Sequence, residues 1–382
     1  MRNLTVLISG ASIAGPALAL RLARLGCAVT VVERSPAVRP GGQAVDFKGA
    51  THHTVLTRMG LLDEVRRRQT GGTDQTVIDA AGRALATIPA AFTGGDVEIR
   101  RGDLAQLLYE RTRDDCAYVF GDSITSLTET ADGVHVTFEK GAPRTYDLVV
   151  GADGIHSNVR RLAFGPESDY VVHNGHYYAL AALHVDGDNV MYNEPGRMVA
   201  VGGRKAPAFF VFAAPQLTYD RYDTARQKEI LRDAYRGGGW RIPELMARVP
   251  DADDFYLDSL SRVDIDHYAK GRVVLLGDAA YGNTLGGFGT GLAVVGAYVL
   301  AGELAAADGD HRVAFRRYEE LFRDYATISR KGNAGPFLAP RTRTRMALRN
   351  WTFRSRLLLG LMMRMTDRFA TDIDLPDYPE PR

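Results

Sequence analysis

The chain contains few cysteines and has almost no net charge. Only two cysteines, Cys27 and Cys116, occur in 382 residues, and they form no CxxC pair, which gives no support for a disulfide framework or a thiolate metal site. The nine histidines are scattered, and side chains of the one adjacent pair, His52 and His53, would diverge, so we expect no metal. The formal net charge of +1 favours neither nucleic acid nor a membrane surface as partner. We therefore expect a small-molecule ligand and a cytoplasmic location.

Long apolar runs are also missing from most of the chain. The run Leu357–Met363 has seven residues, far fewer than the roughly 20 that span a bilayer. Near the N-terminus, Arg2 and the small-residue triplet 17–19 (Ala-Leu-Ala) resemble a signal peptide, but its removal would delete a strand, turn and helix start that fit the segment behind them. We expect no cleaved signal and no integral membrane segment.

The first 33 residues carry the pattern of a strand, a helix and a second strand. Leu4–Ser9 and Ala28–Glu33 are strand-like, and Ile13–Leu25 has helical apolar spacing. Two further apolar strands, at 148–150 and 273–276, are typical of a buried parallel sheet. These patterns predict an α/β protein.

A second type of sheet is predicted in the middle of the chain. From about 176 to 263 the strands alternate and are aromatic-rich, as in Tyr177–Val185 and Phe209–Ala214, which favours an antiparallel, half-exposed sheet. A hairpin-like stretch, Thr76–Ile88, is predicted to join it. From His311 onward the pattern is helical, and 341–368 contains eight arginines and a single acid, Asp367. We favour a docked helix with its arginines facing solvent over an interfacial amphipathic helix.

The turn after the first strand carries a dinucleotide-binding pattern. Gly10-Ala11-Ser12-Ile13-Ala14-Gly15 lies between strand and helix, where backbone N–H groups and the helix dipole would meet a pyrophosphate. Glu33 ends the second strand, 18 residues after Gly15, where an acid can bind a ribose. The second glycine of the usual pattern is Ser12 here. A tight turn without a ligand is the alternative.

Two later motifs lie far from that turn in sequence. Residues 151–154 read Gly-Ala-Asp-Gly and precede Ser157 and Arg160, and residues 277–280 read Gly-Asp-Ala-Ala and precede Gly287-x-Gly289. In this order and spacing, the chain resembles the group A flavoprotein monooxygenases of the p-hydroxybenzoate hydroxylase fold, including tetracycline-inactivating and aromatic-polyketide hydroxylases. The resemblance covers nearly the whole chain. One departure is that no proline occurs between Tyr281 and Gly286, where relatives commonly have a proline-containing loop.

The resemblance implies a fold and a domain organisation. It implies a Rossmann-type FAD-binding domain (GR2-like) interleaved with an antiparallel-sheet substrate domain and followed by C-terminal helices. The predicted parts are residues 1–73, 97–170 and 264–310 for the FAD-binding domain, 74–96 and 171–263 for the substrate domain, and 311–382 for the C-terminal helical segment.

The resemblance also implies roles for individual residues. Glu33 would bind the adenosine ribose, Arg34 would flank the adenosine, and Arg101, in an Arg-x-Asp-Leu element, would reach the ribityl chain or pyrophosphate. Asp278 would bind the ribityl chain or pyrophosphate, and Asp153 with Arg160 would bridge the structure to FAD and NAD(P)H handling. Taken singly, Arg101 could instead be a surface ion pair, and Asp153 or Asp278 a turn residue or helix cap. The complete set of predicted cofactor residues is Gly10, Ser12, Ile13, Ala14, Gly15, Glu33, Arg34, Gln43, Arg101, Asp153, Asp278, Gly287 and Gly289.

The implied activity is the insertion of one atom of O2 into an aromatic or polycyclic, polyketide-like small molecule through a flavin C4a-hydroperoxide, with NADPH or NADH as donor. Phe210 and Phe212 are predicted to line the substrate pocket, although half of the side chains on that strand must face away. No catalytic base is assigned, and a monomer or homodimer is expected. The alternatives are an FAD-dependent oxidase or reductase on the same fold, a non-catalytic flavin-binding protein, and an FAD-free protein that uses NAD alone.

Overall fold

Two large β-sheets organise the protein in a computed structural model that describes residues 4–183, 185, 187–203, 207–286, 289–330, 332–355, 358–360 and 373–378. In chain order the strands are β1 (Thr5–Ser9), β2 (Ala28–Glu33), β3 (Ala44–Phe47), β4 (Gln75–Ile78), β5 (Ala84–Ile88), β6 (Val97–Arg100), β7 (Ala117–Phe120), β8 (Ile124–Thr130), β9 (Gly133–Phe138), β10 (Arg144–Tyr146), β11 (Leu148–Gly151), β12 (Val171–Ala181), β13 (Val190–Glu194), β14 (Arg197–Val201), β15 (Ala208–Ala213), β16 (Phe255–Val263), β17 (Ala269–Lys270) and β18 (Val273–Leu275). The helices are α1 (Ala14–Arg24), α2 (Gly49–Arg58), α3 (Leu62–Arg67), α4 (Ala90–Thr93), α5 (Arg101–Glu110), α6 (Asn158–Ala163), α7 (Thr224–Ala234), α8 (Ile242–Arg248), α9 (Asp278–Tyr281), α10 (Gly289–Ala306), α11 (His311–Arg330), α12 (Gly335–Leu338) and α13 (Arg343–Arg354).

The first sheet is the predicted parallel one. Its strand order is β17-β18-β11-β1-β2-β7, and all neighbouring pairs are parallel except β17 with β18. The β1–α1–β2 unit and both later apolar strands, β11 and β18, lie where their patterns predicted. Side chains of β1, β11 and β18 are almost completely buried because helices cover the sheet, which explains why their sequences do not alternate.

The second sheet has seven strands in the order β16-β12-β15-β14-β13-β4-β5. Its pairs are antiparallel except β13 with β4, so the predicted hairpin β4–β5 joins it, as expected. The α/β fold class with a second, antiparallel sheet is therefore confirmed. Sequence analysis missed the meander β8–β9–β10 and two helices, α7 and α8, which cover one face of the seven-stranded sheet.

The apolar helix α10 is long enough to cross a membrane by length and composition, and it is the single such helix among the described residues. Most of it is buried inside the protein, where it packs against α1 and α11. A helix that is apolar on all sides is expected in a core of this kind.

The basic C-terminal helix α13 packs against β5, in agreement with the docked arrangement. One of its arginines contradicts the expectation that all face solvent, because Arg349 is only 7% exposed. Its guanidinium donates to the carbonyl of Phe337 and to the side-chain oxygen of Asn193. Burial lowers its pKa to about 10. Residues 356, 357 and 361–368 of the predicted basic segment lie outside the described residues.

Candidate functional site

The turn between β1 and α1 has the shape that the glycine pattern predicted. Gly10 has a φ of +108°, and a Cβ there would lie 2.4 Å from the carbonyl oxygen of Ala152. A Cβ on Gly15 would lie 2.0 Å from the carbonyl oxygen of Gly10. Helix α1 begins without a side-chain cap at Ile13. The first N–H groups of the helix and its dipole therefore face a narrow cradle that suits a phosphate.

Two residues at the end of β2 border this cradle. Glu33 accepts hydrogen bonds from the backbone N–H groups of Ala11, at 2.8 Å, and Ser35, at 2.9 Å. These bonds hold the carboxylate at the mouth of the turn. The Arg34 guanidinium lies against the ring of Tyr222, 4.0 Å from the ring centroid, and donates a hydrogen bond to the Tyr222 hydroxyl.

Arg101 approaches the same cradle from the N-terminus of α5. Its guanidinium donates to the hydroxyl of Ser12 at 2.9 Å. Its backbone N–H donates to the carbonyl of Gln43 at 3.1 Å, which joins the loop before β3 to α5. That loop packs closely, because a Cβ on Gly102 would lie 2.6 Å from the backbone nitrogen of Gly41. The structure thus brings Ser12, Gln43 and Arg101 together at the first turn, although they are distant in sequence.

Asp153 is held by contacts within the protein. Its carboxylate accepts from the hydroxyl of Ser157 and from the backbone N–H groups of Asn158, at 2.9 Å, and Val159, at 3.0 Å. Burial raises its pKa, and these hydrogen bonds oppose the rise. Asp153 therefore caps the N–H groups at the start of α6, and its implied part in FAD and NAD(P)H handling stays a prediction.

Arg160 joins the two later motifs. It is completely buried, and its guanidinium donates to the carbonyl of Ala279 at 2.8 Å and to that of Ile155 at 2.6 Å. The carbonyl groups come from the 277–280 motif and from the loop just after 151–154. Arg160 therefore fixes the relative position of the two motifs and has no contact with the open side of the site.

Asp278 is the first residue of α9, and its side chain is exposed at the site. Protein atoms around the carboxylate reduce its hydration and so raise the pKa of Asp278, and the positive charge of Arg101 opposes the rise. Its Oδ1 lies 3.6 Å from the position that a Cβ on Gly289 would occupy, at the start of α10. The carboxylate is thus next to the N-terminus of a second helix. Gly287 lies outside the described residues.

The altered loop after α9 is attached to the second sheet. The backbone N–H of Thr284 donates to the carbonyl of Ser261 at 2.9 Å, and the side-chain amide of Asn283 donates to the carbonyl of Gly332 at 2.6 Å. Leu285 has a φ of +56°, a left-handed conformation that is uncommon for a residue other than glycine. These hydrogen bonds hold the loop in position, although it lacks a proline.

The face of β15 that borders the site differs from the predicted one. Phe210 and Phe212 are buried in the cluster beneath α7 and α8, where both rings pack edge-to-face on Tyr235. Phe209 points to the other face, with Tyr178 of β12. Arg101 and Asp278 act electrostatically on Tyr178, so this second face is the one that borders the cofactor cradle. The expectation that Phe210 and Phe212 line the pocket is therefore corrected to the opposite face.

A polar cluster at this face was missed by the sequence analysis. His156, just after the 151–154 motif, bridges Asp258 of β16 and Glu167, at 3.0 Å each. Burial works to lower the pKa of His156, but the hydrogen bonds and charges of both carboxylates raise it to about 9. The hydroxyl of Tyr256 donates to Asp258 at 2.8 Å. No local pattern marks this cluster, because its members come from three separate segments.

A second histidine without a predicted role, His52, packs against the first turn of α10. His52 is 1% exposed and accepts a hydrogen bond at Nδ1 from the backbone N–H of Lys48. A Cβ on Gly291 would lie 2.2 Å from Cε1 of the His52 ring. Burial lowers the His52 pKa to about 4, so the ring is neutral and acts in packing. The described residues contain no cluster of side chains that could hold a metal ion.

Comparison with known proteins agrees with this geometry. The family described as FAD binding domain matches residues 3–314. An uncharacterized protein of Mycobacterium tuberculosis is 41% identical over 339 residues, covering 84% of this chain and 90% of that protein. A flavin-dependent monooxygenase of Legionella longbeachae is 35% identical over 346 residues, covering 86% of this chain and 88% of that protein.

A solved structure is similar over almost the whole chain. The crystal structure of the tetracycline destructase Tet(51) has a TM-score of 0.82 and 31% sequence identity, and covers 99% of this chain and 100% of that one. The family match spans the turn at Gly10, Arg101 and Asp278. The chain therefore belongs to the FAD-binding domain family of flavin-dependent monooxygenases.

Proposed function

We propose that the protein uses NAD(P)H and O2 to insert one oxygen atom into an aromatic, polycyclic small molecule. The observation that carries the proposal is the meeting of three separate segments at one cleft. The cradle of Gly10 and Gly15, Arg101 on Ser12, and Asp278 beside the start of α10 face the sheet surface that carries Tyr178.

The residues present fit FAD. The N–H groups at the start of α1 and the guanidinium of Arg101 would bind the pyrophosphate, because both offer donors and positive charge. Glu33 would accept hydrogen bonds from the adenosine ribose, and Asp278 would accept from the ribityl chain. FAD, when bound, supplies the redox chemistry with O2, and the protein supplies binding, orientation and electrostatics.

The start of α10 would act on the flavin ring. The N–H groups of the first turn and the positive end of an 18-residue helix stabilise negative charge that develops beside them. Gly289 is at this end, and His52 supports the first turn from below. This arrangement needs no side-chain base, which agrees with the absence of an assigned one.

The substrate would lie between the cofactor and the sheet face of Tyr178 and Phe209. This face combines aromatic rings with the hydroxyl of Tyr256, which suits a flat molecule that carries polar groups. A tetracycline destructase, by its name, acts on a polycyclic molecule, and this likeness supports a polycyclic substrate here. The protein must also exclude water from this space, since open access would waste reducing equivalents.

The test is the visible spectrum of the purified protein before and after anaerobic NADPH, with and without a polycyclic phenol. We expect yellow protein that NADPH bleaches, faster with the phenol. In a separate aerobic turnover under labelled O2, we expect product that contains one atom of the label. Turnover without label in the product would identify an oxidase or reductase. Yellow protein that neither NADPH nor NADH reduces would favour a non-catalytic flavin-binding protein.

A further inference from the structure

A loop of the second sheet reaches across to the first turn. It consists of residues 214–223, between β15 and α7, and we call it the crossing loop. Its Tyr222 is 60% exposed, yet the ring covers the Arg34 guanidinium at 4.0 Å and its hydroxyl accepts a hydrogen bond from Arg34. The two residues are 188 positions apart in sequence. The contact with Arg34 therefore fixes the position of the Tyr222 ring, although the ring is exposed.

The crossing loop is braced on both sides of Tyr222. The backbone N–H of Tyr222 donates to the carboxylate of Asp220 at 2.9 Å. The carbonyl of Arg221 accepts from the side-chain amide of Gln227 at 2.6 Å, and the Arg221 guanidinium lies 3.8 Å from Glu167. Because α7 and the segment after α6 both hold the loop, Tyr222 is presented to Arg34 at little further cost in conformational entropy.

Arg34 directly follows Glu33, whose carboxylate is fixed at the mouth of the cradle. The Arg34 side chain is therefore close to the adenosine half of the dinucleotide site. A guanidinium is planar and stacks on aromatic faces. Tyr222 covers one face of this guanidinium. Among the described residues, no second ring or carboxylate contacts the Arg34 guanidinium. The remaining face can stack on a purine.

We propose that Tyr222 is a binding residue for the adenosine half of FAD. The stacked pair of Arg34 and Tyr222 forms the outer wall of the adenosine subsite, so the substrate domain contributes directly to cofactor binding. This proposal rests on the FAD site described under the proposed function. It predicts a selective dependence on adenosine, because the flavin ring and ribityl chain bind elsewhere.

The experiment compares ligands with and without adenosine on the full-length, flavin-stripped chain. Dissociation constants for FAD, ADP and FMN are measured for wild type, Tyr222→Ala and Tyr222→Phe. In Tyr222→Ala we expect the FAD and ADP constants to rise by about two- to fivefold, the range for loss of an exposed cation–π contact. The FMN constant should not change. Tyr222→Phe keeps the ring and should retain most of the affinity.

The matched control is Trp351→Ala, which removes a ring of similar exposure, 57%, from α13. All its constants should equal those of wild type. Equal weakening of FAD and FMN in Tyr222→Ala, or no change in FAD and ADP, would overturn the role of Tyr222. Wild-type protein that takes up neither FAD nor ADP would instead reject the cofactor site on which the proposal rests.

Discussion

His156 is held between two carboxylates, and this arrangement makes stability depend on pH in a defined direction. Its side chain is 25% exposed, and that of Asp258 is 7% exposed, so water screens the pair only in part. Glu167 binds the other ring nitrogen, and the guanidinium of Arg221 lies 3.8 Å from the Glu167 carboxylate. Tyr256 and the backbone N–H of Ser259 donate the remaining hydrogen bonds to Asp258. The protonated imidazole therefore links the loop after β11 to β16.

The magnitude follows from the pKa. A rise from 6.5 to about 9 corresponds to about 3 kcal/mol in favour of the protonated folded form, at about 1.4 kcal/mol per pKa unit. Because the folded-state pKa is raised, this contribution is fully present below pH 6.5 and is lost as pH rises through 9.

The assay is the free energy of unfolding in urea between pH 6 and pH 10 for wild type and His156→Gln. We expect wild type to be more stable at pH 6, and the difference to narrow by about 3 kcal/mol by pH 10. His135→Gln is the matched control, because His135 is exposed on β9 and its contact with Thr145 is 3.4 Å. A wild-type advantage over His156→Gln that stays constant from pH 6 to pH 10 would refute the reasoning.

Three other substitutions test the remaining architecture. Arg101→Met removes the guanidinium that binds Ser12 and should raise the FAD dissociation constant about tenfold, measured by flavin fluorescence, with little change in thermal stability; unchanged affinity would place Arg101 outside the site. Gly291→Ala forces a Cβ onto His52 and should cost about 1–3 kcal/mol of unfolding free energy, which the thermal midpoint would show; an unshifted midpoint would contradict the close packing. Arg160→Met leaves two buried carbonyls unpaired and should cost about 2–5 kcal/mol in urea unfolding, so a neutral result would disprove its role as a link.

The cofactor half of the protein could be predicted largely from local sequence. The β1–α1–β2 unit, Gly10, Gly15 and Glu33 lie within 33 residues, and each has a short-range physical signal such as apolar spacing or a turn that excludes a Cβ. The later motifs could be assigned because their order and spacing resemble a known family. The domain boundaries and the cofactor roles of single residues stay predictions.

Other features could not be predicted, because they depend on how distant segments meet. Alternation along β15 shows that Phe209 and Phe210 point to opposite faces, but only packing against α7 and Tyr235 decides which face is covered. The buried position of Arg349 likewise depends on carbonyl groups from another segment. Asp153 carries the same local pattern in either role, and only the folded chain shows that its carboxylate accepts from the N–H groups at the start of α6.

The sequence by itself determined the α/β fold class and the glycine turn between β1 and α1, because these follow from periodicity and glycine geometry over short stretches. The tertiary structure alone decided which sheet face borders the cofactor, that His156 bridges Asp258 and Glu167, and that Tyr222 meets Arg34. Those contacts join residues more than ten and up to 188 positions apart. No local pattern encodes such pairs, since their energy arises only when the folded chain brings their side chains together.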